Sequence, residues 1–362
     1  MGVIIGLLLN KAKRGSLRTL FTTEDDRAIA ELTSVTKLSP DTADVYLSLG
    51  NLFREKGDLS RATRIHQSII TMPSVGRGLK IRAMMELGLD YKKAGLFDRA
   101  IKTFTELIAL DPKRLDAYIE LERLYEEEKS WDKAIEVQEE IQRLRKTRRG
   151  NVIAHLHTEL GKMLTELGNT EKAVVAFKKA IEFDRSCTDA YLHLGDLYLS
   201  DEKTHDAINV WKEVIKNQPS FAFLTYPRLE KAFSSIEDRE TIGGNNEMEG
   251  IYKGVIEERP EDIRTLIALG EHYTEKGRFE DAIKIFKRVI EINPKYLDAH
   301  RRLGELYFDM DLKEDALMQY RDLLHIFTIG YLPYHCRQCG YESREIYWKC
   351  PQCKEWDTFV FE

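Results

Sequence analysis

The chain has 362 residues, 32% of them charged and 43% hydrophobic, with a formal net charge of −6. That balance suits a soluble, helix-rich protein of two or three domains or one elongated array. It excludes a general nucleic-acid binder, whose phosphate contacts need a basic face. Four of the five cysteines gather between Cys336 and Cys353, a pattern for metal in a reducing compartment rather than a secreted disulfide framework.

In chain order the amino terminus comes first. Val3 to Leu9 is apolar, and Lys11, Lys13, Arg14 and Arg18 follow it. So short a run cannot cross a bilayer core, which takes about 20 residues of helix. A secretory signal carries its charge ahead of the apolar run, not behind it. Two readings stay open for residues 1–20. One is a short helix packed on the first repeat. The other is the end of a membrane anchor whose beginning lies outside this chain, with its basic flank on the cytoplasmic side.

From Ala43 to roughly Thr328 the sequence recurs with a period of about 34 residues, that of tetratricopeptide repeats. The clearest unit holds Gly270, Tyr273, Gly277, Ala282, Phe286 and Pro294, matched by Gly88, Tyr91, Gly95, Ala100, Phe104 and Pro112. Gly161, Gly168, Ala173 and Phe177 make another unit, and Gly195, Tyr198, Ala207 and Trp211 a further one. Weaker copies begin near Ala43, Leu115 and Leu297. Small residues let two antiparallel helices approach, aromatics fill the space between them, and proline ends the second helix. A single pair cannot bury its apolar face, so stacking supplies the core. Residues 21–328 are therefore expected to form about eight helix pairs in a right-handed superhelix with a concave groove.

Three stretches interrupt the pattern. Ser74 to Gly78 adds residues between the first and second units. Residues 221–260 are degenerate and show only a helix-like ending from Met248 to Ile256. Within them, Ser234 to Asn246 reads as a flexible loop.

The concave face of such an array is lined by the second, fifth, ninth and twelfth positions of each first helix. These are Asp44, Leu47, Asn51 and Arg54 in the first unit and Arg82, Met85, Leu89 and Lys92 in the second. In the last they are Asp298, Arg301, Glu305 and Phe308. Mixed charge and apolar surface suits a protein or peptide partner, and a homodimer stays open as a further assembly. Asn51 lacks the partners that grip a terminal carboxylate in some repeat proteins. The basic run Arg143, Arg145, Lys146, Arg148 and Arg149 follows a helix ending and has no interleaved aromatics, so a solvated helix end fits it better than nucleic acid or anionic lipid.

No catalytic set emerges. His155 and His157 are two apart and do not share a helix face. Cys187 reads as a small buried hydrophobe. Phosphate loops, nucleophile elbows and H-E-x-x-H are absent, and no enzyme is expected.

Residues 329–362 are too few to hold a core without a staple. Cys336-Arg-Gln-Cys339 and Cys350-Pro-Gln-Cys353 supply it. Each C-x2-C places two sulfurs on one tight turn, and two facing turns close a tetrahedral four-sulfur site. Gly340 follows the first knuckle and Pro351 stiffens the second. Tyr334, Tyr341, Tyr347, Trp348, Trp356 and Phe359 are expected to pack around the site and against the last repeat. One structural metal ion follows. Zinc is the natural choice for four thiolates without an open position. Iron fits the same geometry and would make the chain a rubredoxin-like redox protein, though no electron-transfer partner is suggested. The fold class is thus all-α, a tetratricopeptide-repeat superhelix with a small carboxy-terminal rubredoxin-like or zinc-ribbon β module.

The runs Tyr334-His-Cys-Arg-Gln-Cys-Gly-Tyr341 and Tyr347-Trp-Lys-Cys-Pro-Gln-Cys-Lys-Glu-Trp356 closely resemble the terminal module of the lipopolysaccharide assembly protein B family. The runs from Leu47 to Arg54, Arg61 to Gln67 and Gly88 to Ala100 resemble it too, so the likeness spans nearly the whole chain. The resemblance implies one amino-terminal helix in the bacterial inner membrane, with repeats and module on the cytoplasmic face. It implies a non-enzymatic adaptor that helps the membrane protease FtsH degrade the deacetylase LpxC and is linked to lipopolysaccharide assembly proteins. The family's metal ligands fall on Cys336, Cys339, Cys350 and Cys353. A full anchor is missing at the start, so the resemblance favours the anchor-remnant reading of residues 1–20.

Overall fold

The computed structural model describes residues 38–147, 150–237, 244–326 and 334–361. The expected segment at residues 1–20 lies outside them, as do Arg148 and Arg149 of the basic run. No helix among the described residues is long and apolar enough to cross a membrane. The chain divides into two compact units, Met1–Arg148 and Arg149–Glu362.

In the first unit the described helices are α1 (Ala43–Glu55), α2 (Leu59–Thr71), α3 (Arg77–Lys93), α4 (Phe97–Leu110), α5 (Leu115–Glu127) and α6 (Trp131–Arg145). They pack as antiparallel pairs, with each second helix also meeting the next first helix. Gly88 of α3 shows why the pattern needs glycine. A Cβ added there would lie 2.4 Å from the Phe104 ring of α4, closer than any real contact, so the bare backbone is the seat of the ring. Phe104 is completely buried, a contribution of about 1.5–3 kcal/mol. In α1/α2 that aromatic slot holds His66 instead. Its Nδ1 lies 2.6 Å from Asp90 Oδ2 of α3, and both side chains are inaccessible. Arg54 of α1 completes the cluster, pairing with Asp90 at 3.2 Å and with Glu86 at 2.6 Å. The insertion at Ser74 to Gly78 is partly absorbed, because Arg77 already opens α3.

In the second unit α7 (Gly150–Glu166), α8 (Thr170–Phe183), α9 (Thr188–Ser200) and α10 (Thr204–Asn217) repeat the design. Gly195 of α9 admits the Trp211 indole of α10, whose Nε1 would lie 2.2 Å from an added Cβ. The fully buried indole donates to the Leu192 carbonyl at 3.3 Å. A 3-10 turn (Pro219–Leu224) then leads to α11 (Tyr226–Glu237) and α12 (Gly244–Glu258). The array continues through α13 (Ile263–Glu275), α14 (Phe279–Ile292), α15 (Leu297–Asp309) and α16 (Lys313–Ile326).

Two expectations are corrected here. Residues 221–260 carry a full helix pair, not only a helical ending. Tyr226, Leu229, Ala232 and Phe233 of α11 are buried with Met248 and Tyr252 of α12 in one core. Pro227 sits in the first turn, where no donor is needed, and Tyr226 meets Tyr252 edge-on at 4.8 Å in place of the usual glycine contact. The loop expected from Ser234 to Asn246 is mostly helix: Ser234 to Glu237 end α11, and Gly244 to Asn246 begin α12. Only residues 238–243 of that stretch lie outside the described residues.

The terminal module is a three-stranded antiparallel sheet of β1 (Tyr334–Cys336), β2 (Glu342–Ser343) and β3 (Phe359–Phe361) in the order β2-β1-β3. The architecture is the expected one: tetratricopeptide-type helix pairs ending in a small β module.

Candidate metal centre and its seat on the repeats

Each knuckle is built by the same backbone device. In the first, the Gly340 amide donates to the Cys336 carbonyl at 2.8 Å and the Cys336 amide to the Tyr341 carbonyl at 2.9 Å. In the second, the Lys354 amide donates to Cys350 and the Cys350 amide to Glu355, both at 2.9 Å. Gly340 and Lys354 take the left-handed conformation that closes each turn, at φ 73° and 61°. Glycine holds it without cost, while lysine is held there by the knuckle.

The four sulfurs lie within 4.8 Å of one another. Across the two knuckles, Cys336 to Cys353 and Cys339 to Cys350 are each 3.7 Å apart. Four thiolates at a zinc–sulfur distance of about 2.3 Å on a tetrahedron would stand about 3.8 Å apart, so the donors fit a single tetrahedral cation. Their acidity is split as crowded thiols require. Burial pushes Cys336 up, but the Thr358 hydroxyl at 3.1 Å and the Cys339 and Gln338 amides outweigh it, bringing the thiol to about 6. The Glu355 amide draws Cys353 down, but burial and the neighbouring cysteines push it up to about 12. Four thiolates cannot share this space without a cation to neutralise them. Tyr341 and Tyr347 pack edge-on around Phe359, at 6.3 and 5.5 Å, and close the module's small core. His335, beside Cys336, stands outside the sulfur cluster.

The module is not seated on the last repeat, which corrects that expectation. Its described contacts go to α7, to the 3-10 turn and to α13. Asp357 reaches α7, where its Oδ1 lies 2.8 Å from His155 Nε2 and its Oδ2 accepts from Asn151 Nδ2 at 3.3 Å. The His155 ring stacks on Trp356 with centroids 4.5 Å apart and planes 11° from parallel. Trp348 meets Phe221 of the 3-10 turn edge-on at 5.4 Å. Arg264 of α13 lies over the Phe223 ring at 4.1 Å and donates to the Tyr334 hydroxyl at 3.0 Å. Flat rings on the module thus find rings and cations on the inner helices. The physical reason is that in the last pair the corresponding groups are already engaged, His300 with Gln319 and the Pro294 carbonyl, and Arg301 and Arg302 with Asp298. His155 and Arg264, each near the start of a first helix, face the module.

His155 is only 3% exposed on its side chain. Burial alone would keep it neutral, but the Asp357 bond and the nearby Cys187 outweigh that and raise it to about 10. The seat is therefore a charged imidazolium–carboxylate bond roofed by an indole. Cys187 is buried as expected, with Thr158 Oγ1 at 3.5 Å and His155 Nδ1 at 4.0 Å. His157 faces elsewhere, stacked on Phe183 at 5.5 Å.

The groove candidates are largely engaged within the chain. Arg54 holds Glu86 and Asp90, Arg82 pairs with Asp44 at 2.7 Å, and Lys92 pairs with Glu120 at 2.7 Å. Met85 is buried and Leu89 is half-buried in the core. The side-chain oxygen of half-buried Asn51 has no hydrogen-bond partner. In the second unit Arg301 bridges Asp298 and Glu305, and Phe308 is 62% exposed. The cations first serve to stitch neighbouring helices, and a partner would compete for them. Sequence reasoning missed His155, Asn151 and Asp357. The acid follows its histidine by 202 positions, and no local pattern links them.

Comparison with known proteins gives a consistent result. Residues 334–360 match the family described as Rubredoxin metal binding domain. Tetratricopeptide-repeat families match residues 85–151, 161–202, 189–220 and 270–311. Lipopolysaccharide assembly protein B of Escherichia coli (strain K12) is 26% identical over 340 residues, covering 94% of this chain and 86% of that protein. The Haemophilus influenzae protein of the same name is 26% identical over 87% of this chain and 78% of its own length. Among solved structures, the C-terminal part of a repeat-containing protein from Cytophaga hutchinsonii overlays 68% of this chain at 16% identity and TM-score 0.41. MamA from Desulfovibrio magneticus RS-1 overlays 48% at 17% identity and TM-score 0.33.

Proposed function

We propose that this chain, a homologue of lipopolysaccharide assembly protein B along almost all of its length, is a non-enzymatic adaptor that regulates lipopolysaccharide synthesis. The observation that carries this reading is the combination of stacked helix pairs with a four-cysteine module seated on them, in a chain similar to those relatives over 94% of its length. An array of this kind offers surface, not chemistry. Its accessible positions, exposed Arg82, Glu305 and Phe308 and half-buried Asn51, Lys92 and Arg301, are where a protein partner would lie. The metal, zinc by donor set, would be held by Cys336, Cys339, Cys350 and Cys353, and its charge would let four thiolates share one small fold. The chain's own residues then do the positioning: Asp357 and Trp356 place the module on His155, and Tyr334 places it on Arg264.

In this reading the partners are the membrane protease FtsH and the deacetylase LpxC, together with lipopolysaccharide assembly proteins. The protein works at the cytoplasmic face of the inner membrane and shortens the life of the deacetylase. The test is the deacetylase half-life in source cells before and after depletion of this protein. A marked lengthening, reversed by the wild-type chain but not by Cys350→Ser, supports the adaptor. An unchanged half-life with impaired lipopolysaccharide assembly would leave an assembly scaffold without a proteolytic role.

A further inference from the structure

In four second helices of the array, two apolar residues stand one and eight positions after the first alanine and pack against the repeat cores. They are Ile101 and Ile108 in α4, Val174 and Ile181 in α8, Ile208 and Ile215 in α10, and Ile283 and Ile290 in α14. All eight are buried or half-buried against core clusters. The same positions in α16 are Leu317 and Leu324, and these are 68% and 73% exposed. Among the described residues, the stacking face of α16 is open. Next to Leu317, where α4 has Lys102 and α14 has Lys284, α16 has Met318, which is 56% exposed. Val175 of α8 is apolar and 54% exposed at the same position, but only in α16 does such a residue lie beside two exposed leucines.

The charges on this stripe identify its occupant. Along the exposed face of α16 run Glu314, Leu317, Met318, Arg321 and Leu324, at the spacing of a single helix face. Glu314 and Arg321 are seven residues and about 10.5 Å apart along the axis, too far to pair with each other. A second α16 laid antiparallel across the first, with its two-fold axis between Leu317 and Met318, brings Glu314 opposite Arg321 of the other copy, twice. Leu317 then meets Met318 of the other copy at the centre, again twice. The face is self-complementary in shape class and in sign, as a two-fold interface must be.

We propose that this exposed face of α16 is a homodimer interface, formed by antiparallel pairing of two copies of the chain. It goes beyond the adaptor reading and does not depend on it. One helix face is small beside the roughly 1,200–2,000 Å² of a stable interface, so the dimer is reversible and concentration-dependent.

Sedimentation equilibrium of the full chain tests this, with helical circular dichroism and bound metal checked for each variant. The wild type is expected to show a monomer–dimer equilibrium, and Leu317→Glu with Met318→Glu to stay monomeric at the same concentrations. Glu314→Arg and Arg321→Glu alone should each weaken the dimer about tenfold, since each sets two like-charge contacts in place of two opposite ones. The two together should restore it, which only pairing between copies can do. A monomeric wild type would overturn the proposal, showing that another partner or segment takes this face. A dimer insensitive to the apolar substitutions, or one that the double exchange fails to restore, would overturn it equally.

Discussion

The helix array and the terminal module solve the same problem by opposite means. In the array each helix pair is held by near neighbours, as when the Gly195 backbone receives Trp211 only sixteen positions later, and the solution is repeated down the chain. The module buries only a small cluster around Phe359, too little to hold it folded alone. It relies on four sulfurs around one cation and on a clasp from Asp357 to His155, distant in sequence. Local redundancy makes the array tolerant, since one damaged pair leaves the others stacked. The module has no such reserve.

Removing the staple should show this most sharply. Cys350→Ser, or chelation of the wild type, is expected to unfold residues 334–361, because a structural four-thiolate site contributes on the order of 10 kcal/mol to folding. The helical circular dichroism of the array should persist. Retention of the metal in stoichiometric amount by the serine variant would break the comparison.

The array's counterpart is Gly195→Val. The branched side chain would enter the space of the Trp211 indole and cost about 1–3 kcal/mol or more. A lowered thermal midpoint is expected, with metal content unchanged. An unaltered midpoint would mean that the glycine–aromatic contact does not govern the pairing.

Between the two lies the clasp. His155→Ala should cost about 1–3 kcal/mol, discounted because Asp357 is 40% exposed at its side chain. Its pH dependence has a definite sign. The folded His155 is raised to about 10 from an ordinary value of 6.5. Its stabilisation is therefore fully present below about pH 6.5 and is lost as pH rises through about 10. Stability measured from pH 6.5 to 10 should fall in the wild type and fall less in His155→Ala. Equal slopes would place the charge elsewhere.

The smallest effect sharpens the account of the turns. Gly57, Gly95, Gly168 and Gly277 end first helices in the left-handed conformation, and Lys129 does the same after α5 at φ 57°. Lys129→Gly should stabilise the protein by about 0.5–1 kcal/mol, read as a small rise in the denaturant midpoint.

The same contrast explains what could be read from the residues alone. Glycine, alanine, aromatic and proline positions recur because packing recurs, so Gly88, Phe104, Gly270 and Phe286 announced their helix pairs. The paired C-x2-C turns announced the sulfur site for an equally local reason. Residues 221–260 were illegible because Tyr226 and Tyr252 replace the glycine–aromatic contact with an edge-on ring pair, and Pro227 resembles a breaker while sitting harmlessly in a first turn. The seat of the module was illegible too. Nothing near Asp357 or Trp356 points to His155, and the expected seat on the last repeat followed from adjacency in sequence, which the fold does not respect.

Through the clasp, the helices of the second unit and the metal site are expected to behave as one mechanical unit. This coupling is tested most directly by the rate at which a chelator strips the metal from wild type and from His155→Ala, with Gly195→Val as a control that weakens the array elsewhere. Markedly faster release is expected from the His155 variant, with a wild-type rate from the control. Equal rates in all three would show a module that holds its metal alone, and the coupling would be contradicted.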